Sequence, residues 1–167
     1  MALVVEALSV DTAIGVVDIE ASDAGVRRVR LPGERAHTRY APSEGGAGAA
    51  AEAGEQIRQY ASGEREAFDV TLDWSGVEAT HRRALETLCE IAPYGVTVTY
   101  GELGKQASVE DPREIGVLMA TNPLPLVVPC HRVVASDGLG GFGGGLELKQ
   151  RLLELEGVLP ARLDLGL

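Results

Sequence analysis

The sequence is poor in cysteine. Only Cys89 and Cys130 occur in 167 residues. Because nothing in the sequence suggests export, we expect two free thiols rather than a structural disulfide. Cys89 falls within an amphipathic pattern, where a cysteine is more often a small core residue than a reactive one. Cys130 is therefore the thiol to consider for chemistry.

A long uninterrupted apolar run is also lacking. The longest uncharged stretch runs from Ile115 to Cys130 and is interrupted by Pro123, Pro125 and Pro129. It is shorter than the roughly 20 residues that a membrane-spanning helix needs, and no basic segment precedes an apolar one at the N-terminus. We expect a soluble, cytoplasmic protein with no membrane partner.

Basic side chains are outnumbered. The chain has 15 Lys and Arg against 25 Asp and Glu, a formal net charge of −10, and its only lysines are Lys105 and Lys149. Phosphate binding usually depends on a basic surface, so this balance argues against a nucleic-acid partner. An acidic, lysine-poor chain rich in alanine and glycine is what we expect of a protein that works in concentrated salt.

What is present is the pattern of an α/β region followed by a mainly helical one. Val/Ile-rich runs predict strands in hairpin succession at residues 2–9, 12–20 and 25–31, with a turn at 10–11 between the first two. A helix is predicted to reach Tyr60 and stop near Gly63, and residues 67–72 alternate like a further strand. We divide the chain into residues 1–76 and 77–167.

The second region contains three predicted helices. Residues 79–91 form an amphipathic pattern. Thr99 and Glu102 have the spacing of a capping box, and Asp111 followed by Pro112, with Glu114 at the third helical position, marks another helix start. Two short capped helices joined by a tight link predict a helix-turn-helix, a unit found in many DNA-binding proteins, although spacing alone fits a structural helical hairpin equally well.

Chemistry is suggested where Cys130 stands beside His131, between a proline-punctuated approach and a glycine-rich loop. A thiol needs to lose its proton to become a good nucleophile, and a neighbouring base promotes that loss. His131 is a candidate base, and Glu156 is a candidate to orient it. From the residues alone, a packed cysteine next to an incidental histidine is an equally open interpretation.

The run Pro129-Cys130-His131-Arg132-Val133 resembles the active-site sequence of the O6-alkylguanine-DNA alkyltransferase family, the methylated-DNA-protein-cysteine methyltransferases. The resemblance extends from about residue 51 to residue 157 and includes further motifs. These are Pro93-Tyr94-Gly95, Thr99-Tyr100-Gly101-Glu102-Leu103, Arg113 with Gly116, Asn122-Pro123, the glycine loop, and Lys149-x-x-Leu152-Leu153-x-x-Glu156-Gly157. Residues 1–50 match only in general character.

The resemblance implies a chemistry in which Cys130 takes an alkyl group from O6 of guanine once and irreversibly. His131 and Glu156 match a water-mediated relay that supplies the thiolate, and Asn122 matches a residue that braces the turns around the site. The damaged nucleotide is expected to rotate out of the duplex before it reacts. Further matches imply contacts to DNA by Thr99, Tyr100 and Arg113, and a guanine pocket lined by Met119, Val133, Phe142 and Gly143.

The helix that carries Arg113 departs from the family pattern. Glu114 stands where alanine is usual, and Val117 and Leu118 replace small residues. Glu114 fits a capping box at its own helix N-terminus slightly better than a contact with DNA. Phe142 stands where the family commonly has tyrosine, which removes a hydroxyl from the pocket rim.

The resemblance therefore predicts a ribonuclease-H-like α/β domain followed by a winged helix-turn-helix domain that holds all the chemistry. We expect a monomer acting on double-stranded DNA that contains O6-alkylguanine, without a cofactor. His37, His81 and His131 are dispersed, so no metal site is expected. Two alternatives stay open: a non-enzymatic protein that recognises alkylated DNA, and a thiol hydrolase that uses Cys130, His131 and Glu156.

Overall fold

The computed structural model describes residues 6–34 and 48–161. It begins with an antiparallel sheet of order β1-β2-β3, formed by Glu6–Thr12, Gly15–Ser22 and Gly25–Arg30. The small sheet predicted from the sequence is confirmed from residue 6 onward, since residues 2–5 of the first predicted strand lie outside the described residues. The predicted turn at 10–11 is wrong because both residues pair within β1. The turn lies at residues 13–14, where the Thr12 hydroxyl accepts from Ile14 N and donates to Gly15 O. Gly15 supplies the positive φ, +117°, that this turn requires.

Helix α1 (Ala49–Ala61) packs across the sheet. Its N-terminal amides of Ala50 and Ala51 donate to the Glu6 carboxylate of β1, each at 3.2 Å, so the sheet itself caps the helix. A Cβ on Gly54 would lie 2.7 Å from a Val10 methyl, which shows how closely the helix approaches β1. The predicted helix through Tyr60, with its stop near Gly63, is confirmed.

The strand predicted for residues 67–72 is wrong. The segment makes a single bridge to β3, in which Val26 N donates to Thr71 O and Asp73 N donates to Val26 O. Ahead of that bridge, the Gln56 side chain hydrogen-bonds both backbone groups of Asp69: its Oε1 accepts from Asp69 N at 2.8 Å, and its Nε2 donates to Asp69 O at 2.9 Å. Because a side chain satisfies this backbone, no strand ladder is needed there.

The second region is built from helices α2 (Ala79–Ile91), α3 (Tyr100–Ala107), α4 (Pro112–Ala120) and α5 (Leu146–Leu155). Two short strands, β4 (Val98–Thr99) and β5 (Val133–Val134), pair in parallel. The predicted bounds of α2 are confirmed, but Cys89 is exposed on its surface, so its assignment to the core is wrong. Within the described residues, no helix combines the length and apolarity needed to cross a membrane.

Helices α3 and α4 begin at the N-caps that the sequence predicts. The Thr99 hydroxyl accepts from Glu102 N while the Glu102 carboxylate accepts from Thr99 N, which confirms the capping box. At α4 the Asp111 carboxylate accepts from Arg113 N, and the helix starts at Pro112 as predicted. A capping box would also need the Glu114 carboxylate to accept from Asp111 N, and that bond is not formed among the described residues. Glu114 is exposed instead, so the expectation that it belongs to a capping box is wrong.

The link between α3 and α4 depends on a close backbone contact at Gly104. A Cβ there would lie 2.7 Å from the carbonyl oxygen of Val109, whereas a Cβ on Gly101, in the same helix, would meet nothing nearer than 3.9 Å. The Val109 amide also donates to Gly104 O at 2.8 Å. Gly104 therefore fixes how closely the link folds back on α3.

We expect Gly104→Ala to lower the free energy of unfolding by about 1–2 kcal/mol, because the backbone clash outweighs the gain in helix propensity. Gly101→Ala is the matched control and should raise it by roughly 0.5–1 kcal/mol. Urea unfolding of both variants measures the difference. Equal stabilisation by the two alanines would show that the close approach is not a constraint.

Candidate active site

A pocket of about 210 Å³ lies between α3, α4 and the glycine-rich loop. Its walls contain Tyr100, Gly116, Met119, Ala120, Cys130, Gly141, Phe142 and Gly143. Five residues predicted from the sequence to belong to the site, separated by up to 43 positions in the chain, thus meet in one place: Tyr100, Met119, Cys130, Phe142 and Gly143.

Cys130 opens a short 3-10 turn, Cys130–Arg132, directly after Pro129. Its amide donates to Val128 O at 2.8 Å, and only 7% of the residue is exposed. Burial raises the pKa of the thiol to about 11, although a hydrogen bond with Asn122 and the nearby Lys149 ammonium pull the pKa the other way. The resting thiol therefore keeps its proton at neutral pH.

Asn122 braces the approach to Cys130. Its Nδ2 donates to Val128 O at 3.0 Å, and its Oδ1 accepts from Leu124 N at 2.9 Å. Within the turn that it spans, Leu126 is held at a φ of +72°, a left-handed conformation that a leucine adopts only when its surroundings impose it. The asparagine side chain thus closes a strained turn and touches the thiol that follows it.

Behind Cys130, the carboxylate of Glu156 is the centre of a buried hydrogen-bond network. Its Oε1 accepts from Arg132 Nε at 2.7 Å and from Gly95 N at 3.0 Å. Its Oε2 accepts from His131 Nε2 at 2.5 Å, from the Tyr60 hydroxyl at 2.6 Å and from Arg132 Nη2 at 3.2 Å. The side chains of His131 and Glu156 are fully buried.

The charges within this network are unequal. Burial alone would raise the pKa of Glu156, but hydrogen bonds from His131 and Arg132 outweigh it and lower the pKa to about 2, so the carboxylate stays ionised. Burial lowers the pKa of His131 more than the carboxylate raises it. A neutral His131 then carries its proton on Nε2, because the ionised carboxylate can only accept.

The second ring nitrogen of His131 has no such partner. Nδ1 is buried and makes no hydrogen bond with the described residues. With the proton on Nε2, Nδ1 carries the basic lone pair. His131 is thus held as an imidazole whose only uncommitted polar atom is a proton acceptor.

Lys149 is completely buried beneath the pocket. Its ammonium donates to Val133 O at 2.7 Å and to Gly141 O at 3.0 Å, which ties the glycine loop to β5. Burial lowers its pKa to about 8, while the neighbouring Cys130 opposes that shift. The Val133 carbonyl is bound by Lys149, and Val133 is not among the residues that line this pocket, so its predicted place beside the guanine stays a prediction.

The three residues predicted to contact DNA have different surroundings. Tyr100 lies in the pocket wall, with its hydroxyl 3.4 Å from Gly141 O, whereas the Thr99 side chain is used as a helix cap. Arg113 projects from the start of α4 with 94% of its side chain exposed, 3.6 Å from the Asp111 carboxylate. Glu114 is exposed beside it.

Tyr60, Arg132 and Lys149 are members of the site that the sequence did not single out for a role. All three residues are buried, and Lys149 is one of only two lysines in the sequence. Tyr60 comes from α1, so a side chain of the first region reaches the buried network behind Cys130, and the expectation that the second region holds all the chemistry stays a prediction. Within residues 6–34 and 48–161, no cluster of His, Cys, Asp or Glu side chains is arranged to hold a metal ion.

Comparison with known proteins agrees with this geometry. The family model described as 6-O-methylguanine DNA methyltransferase, DNA binding domain, matches residues 79–158. A methylated-DNA--protein-cysteine methyltransferase of Mycolicibacterium paratuberculosis is 39% identical over 160 residues, 91% of this chain and 92% of the relative. A DNA base-flipping protein of Thermus thermophilus is 39% identical over 150 residues, 89% of this chain and 97% of the relative.

The fold gives the same result. The crystal structure of Mycobacterium tuberculosis OGT in complex with DNA superposes with a TM-score of 0.78 and 34% identity, covering 93% of this chain and 95% of that one. The similarity in sequence and in fold thus extends over nearly the full length of both proteins. The chain belongs to the 6-O-methylguanine DNA methyltransferase family.

Proposed function

We propose that this protein repairs DNA by taking an alkyl group from O6 of guanine onto Cys130, once per molecule. The observation that carries the proposal is the position of the thiol: it lies in the wall of a small pocket, while the next residue, His131, holds an uncommitted basic nitrogen in the buried network behind it. The relatives named as methylated-DNA--protein-cysteine methyltransferases support the same reaction.

The proposed step is a direct displacement. The sulfur of Cys130 forms a bond to the alkyl carbon while the bond between that carbon and O6 breaks, and the electron pair of the broken bond stays with guanine. The thiol proton leaves for His131, and guanine takes up one proton, so a thiol and an alkylguanine become a thioether and guanine. A thioether has no ready leaving group, which makes the protein its own co-substrate.

The relay supplies the thiolate only when it is needed. With the thiol pKa raised to about 11, very little free thiolate exists at neutral pH. We assign His131 Nδ1 as the base, reached through a water molecule, with Glu156 holding the opposite nitrogen and thereby stabilising the imidazolium that forms. The Lys149 ammonium lies close enough to lower the energy of the thiolate.

The burial of Cys130 requires base flipping. A guanine stacked inside a duplex cannot bring O6 to a residue that is 7% exposed at the wall of a pocket, so the nucleotide has to rotate out of the helix. Met119, Phe142 and Gly143 then line the space for the base, and Tyr100 is placed to hydrogen-bond it. Asn122 keeps the turn under the thiol in place.

We propose that double-stranded DNA meets the protein at α3 and α4, the two capped helices of a winged helix-turn-helix domain within residues 77–167. Arg113 is exposed at the start of α4, where it can fill the gap left by the flipped nucleotide. Thr99 positions α3 through its cap. Residues 1–76 form the other proposed domain, ribonuclease-H-like in fold, and the protein acts as a monomer.

A second function is favoured by one observation, the similarity to a DNA base-flipping protein along 89% of the chain. Such a protein needs the pocket and the DNA-binding helices but not the thiol. The presence of Cys130 together with the buried His131–Glu156 pair favours repair, because a relay of this kind has no use in recognition alone.

The two functions, and a thiol hydrolase, are separated by weighing the protein after incubation with an oligonucleotide that contains O6-methylguanine. We expect the intact mass to increase by one methyl group. Cys130→Ala should abolish the gain, and Cys89→Ala, which removes an exposed thiol from α2, should retain it. Binding without a gain in mass would support the base-flipping function, and neither binding nor gain would support the hydrolase.

The pH dependence of single-turnover transfer tests the relay. Since burial lowers the pKa of His131, the neutral imidazole persists at and above pH 6.5, and the rate should be nearly constant from there up to the pKa of Lys149, about 8, and fall in more acid solution. In His131→Gln the thiol has to lose its proton to solvent. Its rate should be roughly 10²–10⁴-fold lower at pH 7 and rise about tenfold per pH unit. A rising profile in the wild-type protein would contradict the relay.

Two substitutions on α4 test the proposed DNA contact. Arg113→Ala should weaken binding to duplex DNA and reduce the slope of log affinity against log salt by about 1, because the interface loses one positive charge and with it about one released counterion. Glu114→Gln should strengthen binding by about three- to tenfold at low salt, since an exposed carboxylate beside a polyanion is removed.

Glu90→Gln is the control for the α4 experiment. It changes the net charge by the same amount at an exposed position of α2, outside α3 and α4. Its affinity should remain within about twofold of the wild-type value. An equal gain from both glutamine variants would mean that total charge, and not the position of Glu114, controls binding.

A further inference from the structure

Tyr60 carries a hydroxyl group from α1 into the buried network behind Cys130. The residue has no exposed surface. Its hydroxyl donates to Glu156 Oε2 at 2.6 Å and lies 3.2 Å from His131 Nε2, the nitrogen bound to the same carboxylate oxygen. A residue 71 positions before His131 in the chain therefore contacts both members of the proposed relay.

The direction of these bonds is fixed by chemistry. Burial, reinforced by the negative charge of Glu156, raises the pKa of Tyr60 far above its ordinary value, so the hydroxyl remains protonated and acts as a donor. Its proton points to the carboxylate because His131 Nε2 carries a proton of its own. The phenol oxygen is then free to accept a weaker second interaction from His131 Nε2–H.

Packing does not require this hydroxyl. The Tyr60 ring is held by Phe68, with ring centroids 5.4 Å apart, and by an edge contact with Tyr94 at 6.2 Å. A phenylalanine would make the same ring contacts. The buried hydroxyl costs desolvation that only its bond to Glu156 offsets, so its benefit lies at the carboxylate.

Glu156 needs a fixed position because several charged and titratable groups converge on it and on its partners. Arg132 attracts the carboxylate to one side, and Tyr94 and Lys149 lie within electrostatic range of the network. The charge of Glu34 acts on the neighbouring Cys130 thiol. Without the Tyr60 hydroxyl, Oε2 keeps only His131 and the longer Arg132 bond. The carboxylate can then turn toward the guanidinium.

We propose that Tyr60 is a positioning residue for alkyl transfer: its hydroxyl fixes the Glu156 carboxylate, and through it the Nε2 proton of His131, in the arrangement that leaves His131 Nδ1 free to receive the Cys130 proton. The inference rests on the proposed role of His131 as the base. It makes the first region of the chain part of the reactive site as well as part of the fold.

The test compares Tyr60→Phe with Tyr94→Phe in a Cys89→Ala background, so that Cys130 is the one thiol present. Tyr94 is the matched control because its hydroxyl donates to a backbone carbonyl, Leu155 O, at 3.2 Å rather than to the relay. The rate of Cys130 alkylation by iodoacetamide is measured from pH 5 to pH 10, together with methyl transfer from the oligonucleotide and the unfolding temperature.

We expect Tyr60→Phe to lower the plateau of both rates about tenfold and to move the acid limb to lower pH, because a carboxylate that has turned toward Arg132 stabilises the imidazolium of His131 less. Tyr94→Phe should leave both plateau rates within about twofold of the wild-type values and the acid limb at the same pH. A Tyr60→Phe protein with a lower unfolding temperature but an unchanged profile would show that the hydroxyl is structural, and would overturn the proposal.

A measurement on the wild-type protein is independent of the variants. The ¹⁵N chemical shifts of His131 should report a neutral ring protonated on Nε2 at pH 7, and a proton on Nδ1 would overturn the proposal. Iodoacetamide requires no DNA. If Tyr60→Phe changes the pH dependence of the iodoacetamide rate as expected but the wild-type protein takes no methyl group from the oligonucleotide, the proposed repair function fails. The positioning role of Tyr60 toward the Cys130 thiol then still stands.

Discussion

The buried carboxylate of Glu156 is the interaction on which the site depends. It joins α5, the turn at Gly95, the 3-10 turn after Cys130 and, through Tyr60, helix α1. An ionised carboxylate in an apolar interior is stable only when donors surround it, and five hydrogen bonds supply that requirement here. The elements around the thiol are therefore fixed relative to each other by one charge.

The same burial that makes this network strong opposes the reactivity of Cys130. Removing the thiol from water raises its pKa, which protects the unreacted protein from other electrophiles but also withholds the nucleophile. The two effects are reconciled when a base and a cation are buried with the thiol, as His131 and Lys149 are. Reactivity then depends on internal proton transfer rather than on exposure to solvent.

Local signals predicted local structure well. The caps at Thr99 and Asp111 and the bounds of α2 follow from side chains that satisfy nearby backbone groups, so the sequence records them directly. The failures arise from distant partners. The backbone at Asp69 is satisfied by Gln56, which no alternation pattern encodes, and Tyr60 reaches Glu156 across 96 positions. The identity of the nucleophile followed from a resemblance, whereas the contacts that tune it required the fold.

The interior placement of basic residues sharpens the problem that the acidic composition poses for DNA binding. Arg132 and Lys149 belong to the 15 basic residues but are buried beside the active site, so they contribute nothing to the surface that would meet phosphates. Because the carboxylates of Asp18, Asp73 and Glu156 are buried as well, the net charge of the surface stays close to the formal charge of −10, but fewer cations are left there to meet phosphates. Because salt screens repulsion between exposed charges while leaving buried pairs nearly unaffected, concentrated salt would weaken the obstacle to binding without weakening the relay. The chemistry of the site and the electrostatics of the surface can therefore adapt independently.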